Sequence, residues 1–127
     1  MAMQTITLYR PVGAQELALI EESDFAAFPP RLAEQPIFYP VTNEAYAVQI
    51  ARDWNAKYND PPCGFVTRFR VNADFLSAFD KKVVGAREHE EYWIPAEALD
   101  SFNDNIIGQI EVTHTFGKTG QKDNGNA

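Results

Sequence analysis

The segment "FVTRFRV", residues 65–71, constrains this chain more than any other. Phe65, Thr67, Phe69 and Val71 fall on one side of an extended strand, and Val66, Arg68 and Arg70 fall on the other. Such a strand has an apolar face to bury, so the chain must supply a sheet and something to pack on it. "TITLYRP" reads as an earlier strand over residues 5–10 that stops at Pro11. "IFYPV" suits an edge or terminal segment interrupted by Pro40. "KKVVG" and "EYWIP" are two further short strands joined by "AREHE", and "IIGQIEVTHTF" supplies the last.

Helical spacing appears between these strands. "TNEAYAVQIARDWNAKY" offers Thr42 or Asn43 as a cap and apolar residues at Ala47, Ile50, Ala51 and Trp54. "GAQELALIEESD" sets Leu17, Leu19 and Ile20 against acids. "NADFLSAFD" predicts a turn or two capped by Asn72, and "AEALDSFNDN" enters a helix after Pro95 with Leu99 and Phe102 facing inward. "FAAFPPRLAEQP" reads as an extended loop held by aromatic anchors, and residues 118–127 as a disordered Gly/Asn/Lys-rich tail. The expected fold is α+β: a single domain over residues 1–117, with a split, mostly antiparallel sheet and two or three helices. A length of 127 residues suits one such domain.

Several function classes lose support at once. No apolar run reaches about 18 residues, so no membrane-spanning helix is expected. "MAMQTITLYRP" has no basic stretch leading an apolar block, which makes a cytoplasmic location the default. A formal charge of −7 disfavours nonspecific attraction to nucleic acid. The lone Cys63 can form neither an internal disulfide nor a zinc knuckle, and reads as a small packed residue beside Gly64. The two histidines, His89 and His114, form no metal-binding pair, so no metal site is expected. Phosphate-binding glycine motifs are absent, and Ser23, Ser77 and Ser101 have no nucleophile-elbow glycines around them.

What remains is "REHEEYWIP", residues 87–95. Alternation puts His89, Glu91 and Trp93 on one face and Glu90, Tyr92 and Ile94 on the other, so one glutamate is carried inward whichever face is buried. A buried carboxylate needs a partner or a purpose.

"LYR", "FYPVTNEAYAVQIA" and "HEEYWIP", in that order, resemble the three-part signature of the ADP-ribosyltransferase-like fold. "LYRPVG", "FPPRL", "QPIFYPV", "IARDWN", "GFVTRF" and "WIPAEAL" are similar to a group of small bacterial proteins labelled ADP-ribosylation/crystallin J1, over about Leu8 to Phe116. The resemblance implies an NAD-dependent ADP-ribosyltransferase that releases nicotinamide and passes ADP-ribose to an unknown acceptor. It makes Glu91 the catalytic carboxylate and His89 the residue that selects the acceptor. Arg10, Tyr39, Thr42, Asn43 and Tyr46 would then bind NAD. His89 departs from the Glu-x-Glu pair of arginine-directed transfer, and "FYPVT" departs from the usual Ser-Thr-Ser.

Each residue also has a plainer reading. Arg10 can pair with a nearby acid, Glu91 with Arg68 or Arg70 on a neighbouring strand, and the aromatics can be packing groups. A noncatalytic binding or regulatory protein of immunity type is the alternative from another class, favoured by the acidity. A hydrolase or nuclease using His89 and Glu91 is a third reading.

Overall fold

The computed structural model describes residues 4–30, 36–58, 62–83 and 90–117. His89, Arg31, Arg87 and the tail 118–127 lie outside the described residues. The central sheet is built from β1 (Thr5–Val12), β3 (Cys63–Asn72) and β7 (Ile106–Gly117), all antiparallel with β3 in the middle. The alternation of "FVTRFRV" is realised in β3, where Phe65, Thr67, Phe69 and Val71 are buried while Arg68 and Arg70 are exposed. Thr67 is fully buried and satisfied, its hydroxyl donating to the Arg10 carbonyl at 2.8 Å.

β1 runs through Pro11 rather than stopping before it. Both the N–H and the carbonyl of Tyr9 bond to Val41, at 2.8 Å each, so the odd-numbered amides of β1 point away from β3. Pro11 therefore lacks a donor only on the side where the ladder does not need one.

Val41 is a hinge in the architecture. It bridges Tyr9 on one side and Glu91 on the other, joining the central sheet to the small ribbon of β4 (Lys81–Val83) and β5 (Glu90–Tyr92). β2 (Ile37–Phe38) pairs with β6 (Ile94–Pro95) in a second two-stranded piece, the split expected from the sequence.

One face of the central sheet carries the main core. Leu8, Phe65, Phe69 and Ile110 meet Phe28, Phe38, Tyr92, Ile94 and Phe102 there. Phe28 lies 4.8 Å from Phe69 and Phe38 lies 5.2 Å from Phe102, ring centre to ring centre, in edge-on arrangements worth about 0.5–1.5 kcal/mol beyond their area. Phe28 is thus one of the expected anchors of the proline-rich loop. Helix α1 (Ala14–Glu22) buries Ile20 and packs Leu17 against this core, while Leu19 is exposed.

The other face is covered by α2 (Glu44–Ile50), which continues as a π-helical stretch (Ala51–Asn55) into the short α3 (Ala56–Tyr58). Asn43 is the cap, its side-chain oxygen accepting from the Tyr46 N–H at 3.0 Å. Ala47 and Ala51 are buried as the spacing predicts, but Trp54 is 61% exposed. The π stretch is the reason: each extra residue in a turn rotates the later side chains by about 100°, so Trp54 leaves the stripe that Ala47 and Ala51 begin. Two more helical pieces, α4 (Ala73–Leu76) and α5 (Leu99–Asp104), take the described helices beyond the two or three expected. Asn72 caps α4 through a 3.0 Å bond from the Asp74 N–H, and α5 buries Leu99 and Phe102.

Candidate functional site

The inward glutamate of "REHEEYWIP" is Glu90, and it has partners. Thr42 Oγ1 donates to its carboxylate at 2.9 Å, and Lys81 Nζ stands 3.8 Å away. Tyr92 and Ile94, on the same side of the segment, are buried. Glu90 is thereby a tied-down carboxylate at the rim of the core, and the Thr42 hydroxyl is spent on it.

Glu91 points the opposite way. Directly paired residues of an antiparallel sheet share a face, and the pairings run Glu111 to Arg68, Arg68 to Tyr9, Tyr9 to Val41, Val41 to Glu91 and Glu91 to Lys82. One row of side chains therefore crosses the whole sheet on the α2 face. Arg68 is three strand spacings from Glu91 along it, about 14 Å, and is already bound to Glu111 at 2.8 Å. No ion pair to Glu91 exists among the described residues. Its carboxylate accepts from the Trp93 indole N–H at 3.2 Å.

Aromatic groups surround this carboxylate. Tyr39 meets Trp93 edge-on at 5.8 Å, both rings being more than a third exposed, and Lys82 Nζ lies 5.4 Å from the Trp93 ring centre. Tyr46, from the first turns of α2, is close enough to feel Glu91: burial first, and the negative charge of Glu91 second, push its phenol above the ordinary value. Tyr46 therefore stays protonated at neutral pH. Trp93 and Tyr39 gather here because odd-numbered residues of the 37–41 and 90–95 segments share the α2 face, and Lys82 joins them because it pairs directly with Glu91. Lys82 was not foreseen, since "KKVVG" does not reveal which strand it pairs with.

Arg10 belongs to the other face. It pairs with the buried Thr67, one residue out of step with Tyr9. Its guanidinium makes a two-point contact with Glu16 (Nε to Oε2 2.7 Å, a terminal nitrogen to Oε1 3.0 Å) and stacks 4.6 Å from the Phe38 ring centre. Arg10 is a packing and pairing residue between β1, α1 and β2. The three sequence blocks do not converge: Arg10 and Glu91 project from opposite sides of the sheet, and Thr42 faces Glu90. Asn43 serves as the α2 cap, while Tyr39 and Tyr46 do lie with Glu91. The histidine expected beside Glu91, His89, lies outside the described residues.

No group of three or more histidine, cysteine, aspartate or glutamate side chains among the described residues could hold a metal ion. No helix there is long and apolar enough to cross a membrane. In comparisons with known proteins, no family model and no curated protein matches the chain.

Proposed function

We propose that the protein binds NAD, or a related ADP-ribosyl compound, on the α2 face of its sheet and acts as a small ADP-ribosyltransferase with Glu91 as its carboxylate. The observation that supports this most is the setting of Glu91: no ion pair holds it among the described residues, its cross-strand neighbour Lys82 lying over Trp93 and 3.9 Å from Asp80, and Trp93, Tyr39 and Tyr46 gather around it. When the bond between nicotinamide and the ribose breaks, its electron pair leaves with nicotinamide and positive charge grows on the sugar. A carboxylate not tied up in an ion pair stabilises that charge more than it stabilises the ground state. The acceptor then bonds to the same carbon and gives up its proton. Tyr39 and Trp93 offer surfaces for a planar ring, and the Tyr46 phenol is a neutral donor. The cation paired across from Glu91 on this face is Lys82, not Arg10.

A noncatalytic binding protein is the second reading, and the placement of Arg10 favours it. The arginine assigned to NAD by the sequence blocks is already held by Glu16 on the far side of the sheet. Calorimetry with NAD, with free nicotinamide followed in the same samples, separates the two. The wild type, Glu91→Gln and Lys82→Gln are compared. Transferase function requires nicotinamide release that the glutamine variant at 91 loses, with weaker NAD binding in the variant at 82. Neither NAD binding nor nicotinamide release in the wild type would discard the transferase and leave the binding protein.

A further inference from the structure

We infer that the cavity over the bulge between β3 and β7 is a binding site for a small organic oxyanion, with Arg70 as its charged anchor. The cavity measures about 710 Å³, is open to solvent on one side and is lined by Thr7, Arg68 and Arg70 together with Phe25, Phe69 and Ile110; Glu111 also lines it, its carboxylate held by Arg68 at 2.8 Å. None of the residues gathered around Glu91 lines it.

The bulge makes the space. The pairing of β3 with β7 slips between Arg68 and Arg70, where Arg68 faces Glu111 but Arg70 faces Ile107. Gly108 sits in the slipped segment with a φ of +79°, a conformation that side chains rarely adopt. A Cβ there would stand 3.5 Å from a terminal nitrogen of Arg70, an ordinary contact, so the glycine is called for by its backbone angle and the guanidinium lies over this part of the strand.

Among the described residues, Arg70 is the guanidinium left over. In a chain with 18 acidic and 11 basic residues, Arg10, Arg52 and Arg68 each hold a carboxylate at 2.7–2.8 Å. Arg70 has no carboxylate partner among the described residues, although acids are in excess. A planar fork of donors open to a cavity suits the oxygens of a phosphate or a carboxylate. Phe25, Phe69 and Ile110 give the lining its apolar part, and the backbone that carries Phe25 is unusually shaped. Asp24 and Phe25 both take left-handed backbone angles, φ 63° and 58°, and are fastened to β7 by bonds from the Gln109 amide to the Asp24 carbonyl and from the Ile110 N–H to the Phe25 carbonyl. Two adjacent non-glycine residues in that region carry strain of the kind that accumulates at binding sites. The combination fits an anion carried on a ring or a short chain.

The test is calorimetry with phenyl phosphate, benzoate and phenol against the wild type, Arg70→Gln and, as a control, Arg52→Gln. Arg70 is exposed, so its replacement leaves the fold intact, which circular dichroism checks. Saturable binding of phenyl phosphate or benzoate but not phenol is expected, weakened about tenfold or more in Arg70→Gln and unchanged in Arg52→Gln. The preferred probe tells phosphate from carboxylate. No saturable binding of either anion at millimolar concentration would overturn the assignment, as would equal binding by Arg70→Gln.

Discussion

A single methyl group added at Gly64 should loosen α2 from the sheet. A Cβ on Gly64 would overlap the carbonyl oxygen of Ala51 and stand 2.7 Å from Asn55 Cβ and 3.1 Å from the Ala51 carbonyl carbon. These neighbours belong to the π-helical stretch, and the nearest are a backbone oxygen and a Cβ whose position the backbone fixes, so no rotamer change can make room. Gly64→Ala would ordinarily stabilise a strand by about 0.4–1 kcal/mol, because alanine has less freedom to lose on folding. Against this stands overpacking of about 1–3 kcal/mol, and contact with backbone puts the cost at the upper end. The net expectation is a destabilisation of about 2 kcal/mol. For a domain of this size that lowers the melting temperature by about 5–10 °C. Urea unfolding of the wild type and Gly64→Ala, with the slope checked for constancy, measures it. A midpoint for the variant equal to or above the wild type would refute the argument that Gly64 is kept bare by the approach of the π stretch.

Two further outcomes are expected. Tyr46 has a raised pKa, so the stability gained by keeping its phenol protonated is fully present below its ordinary value of 10.0 and is lost as pH rises through the folded value. Glu91→Gln removes one of the two causes and should lower the Tyr46 titration midpoint, read as the tyrosinate absorbance that disappears in Tyr46→Phe; an unmoved midpoint would mean that Glu91 does not reach Tyr46. Arg10→Met, which keeps contact with Phe38 but strands the Glu16 carboxylate, should cost about 1–3 kcal/mol in urea unfolding without weakening NAD binding; a folded variant that loses NAD binding would return Arg10 to the ligand site.

Much of the fold is legible in the chain because most of its elements are governed locally. The β3 alternation, the Asn43 and Asn72 caps and the tight helical turn after Pro95 (Ala96–Ala98), which leads into α5, each arise from a few adjacent residues. Trp54 is illegible for a different reason. Its position depends on a π stretch, and the signal for that stretch is not in the helix but in Gly64, whose missing side chain lets Ala51 and Asn55 come close. Sequence spacing assumes a constant helical period, and tertiary contact breaks it.

The candidate site shows the same limit more sharply. Alternation assigns faces within one strand with certainty, since Glu90 and Glu91 must oppose each other and so must Tyr9 and Arg10. It cannot say whether Arg10 shares a face with Glu90 or with Glu91, because that depends on the register through the strand between them. Here the register is set at a single residue, Val41, which bridges Tyr9 and Glu91 at once. A slip of one position there would carry Arg10 to the side of Glu91 and bring the sequence blocks together. The Val41 bridge instead puts Arg10 over Phe38 and against Glu16, where its charge supports the core, and leaves Glu91 among aromatic groups. Order along the chain therefore ranks candidate residues. The register at one bridge decides which of them can act together.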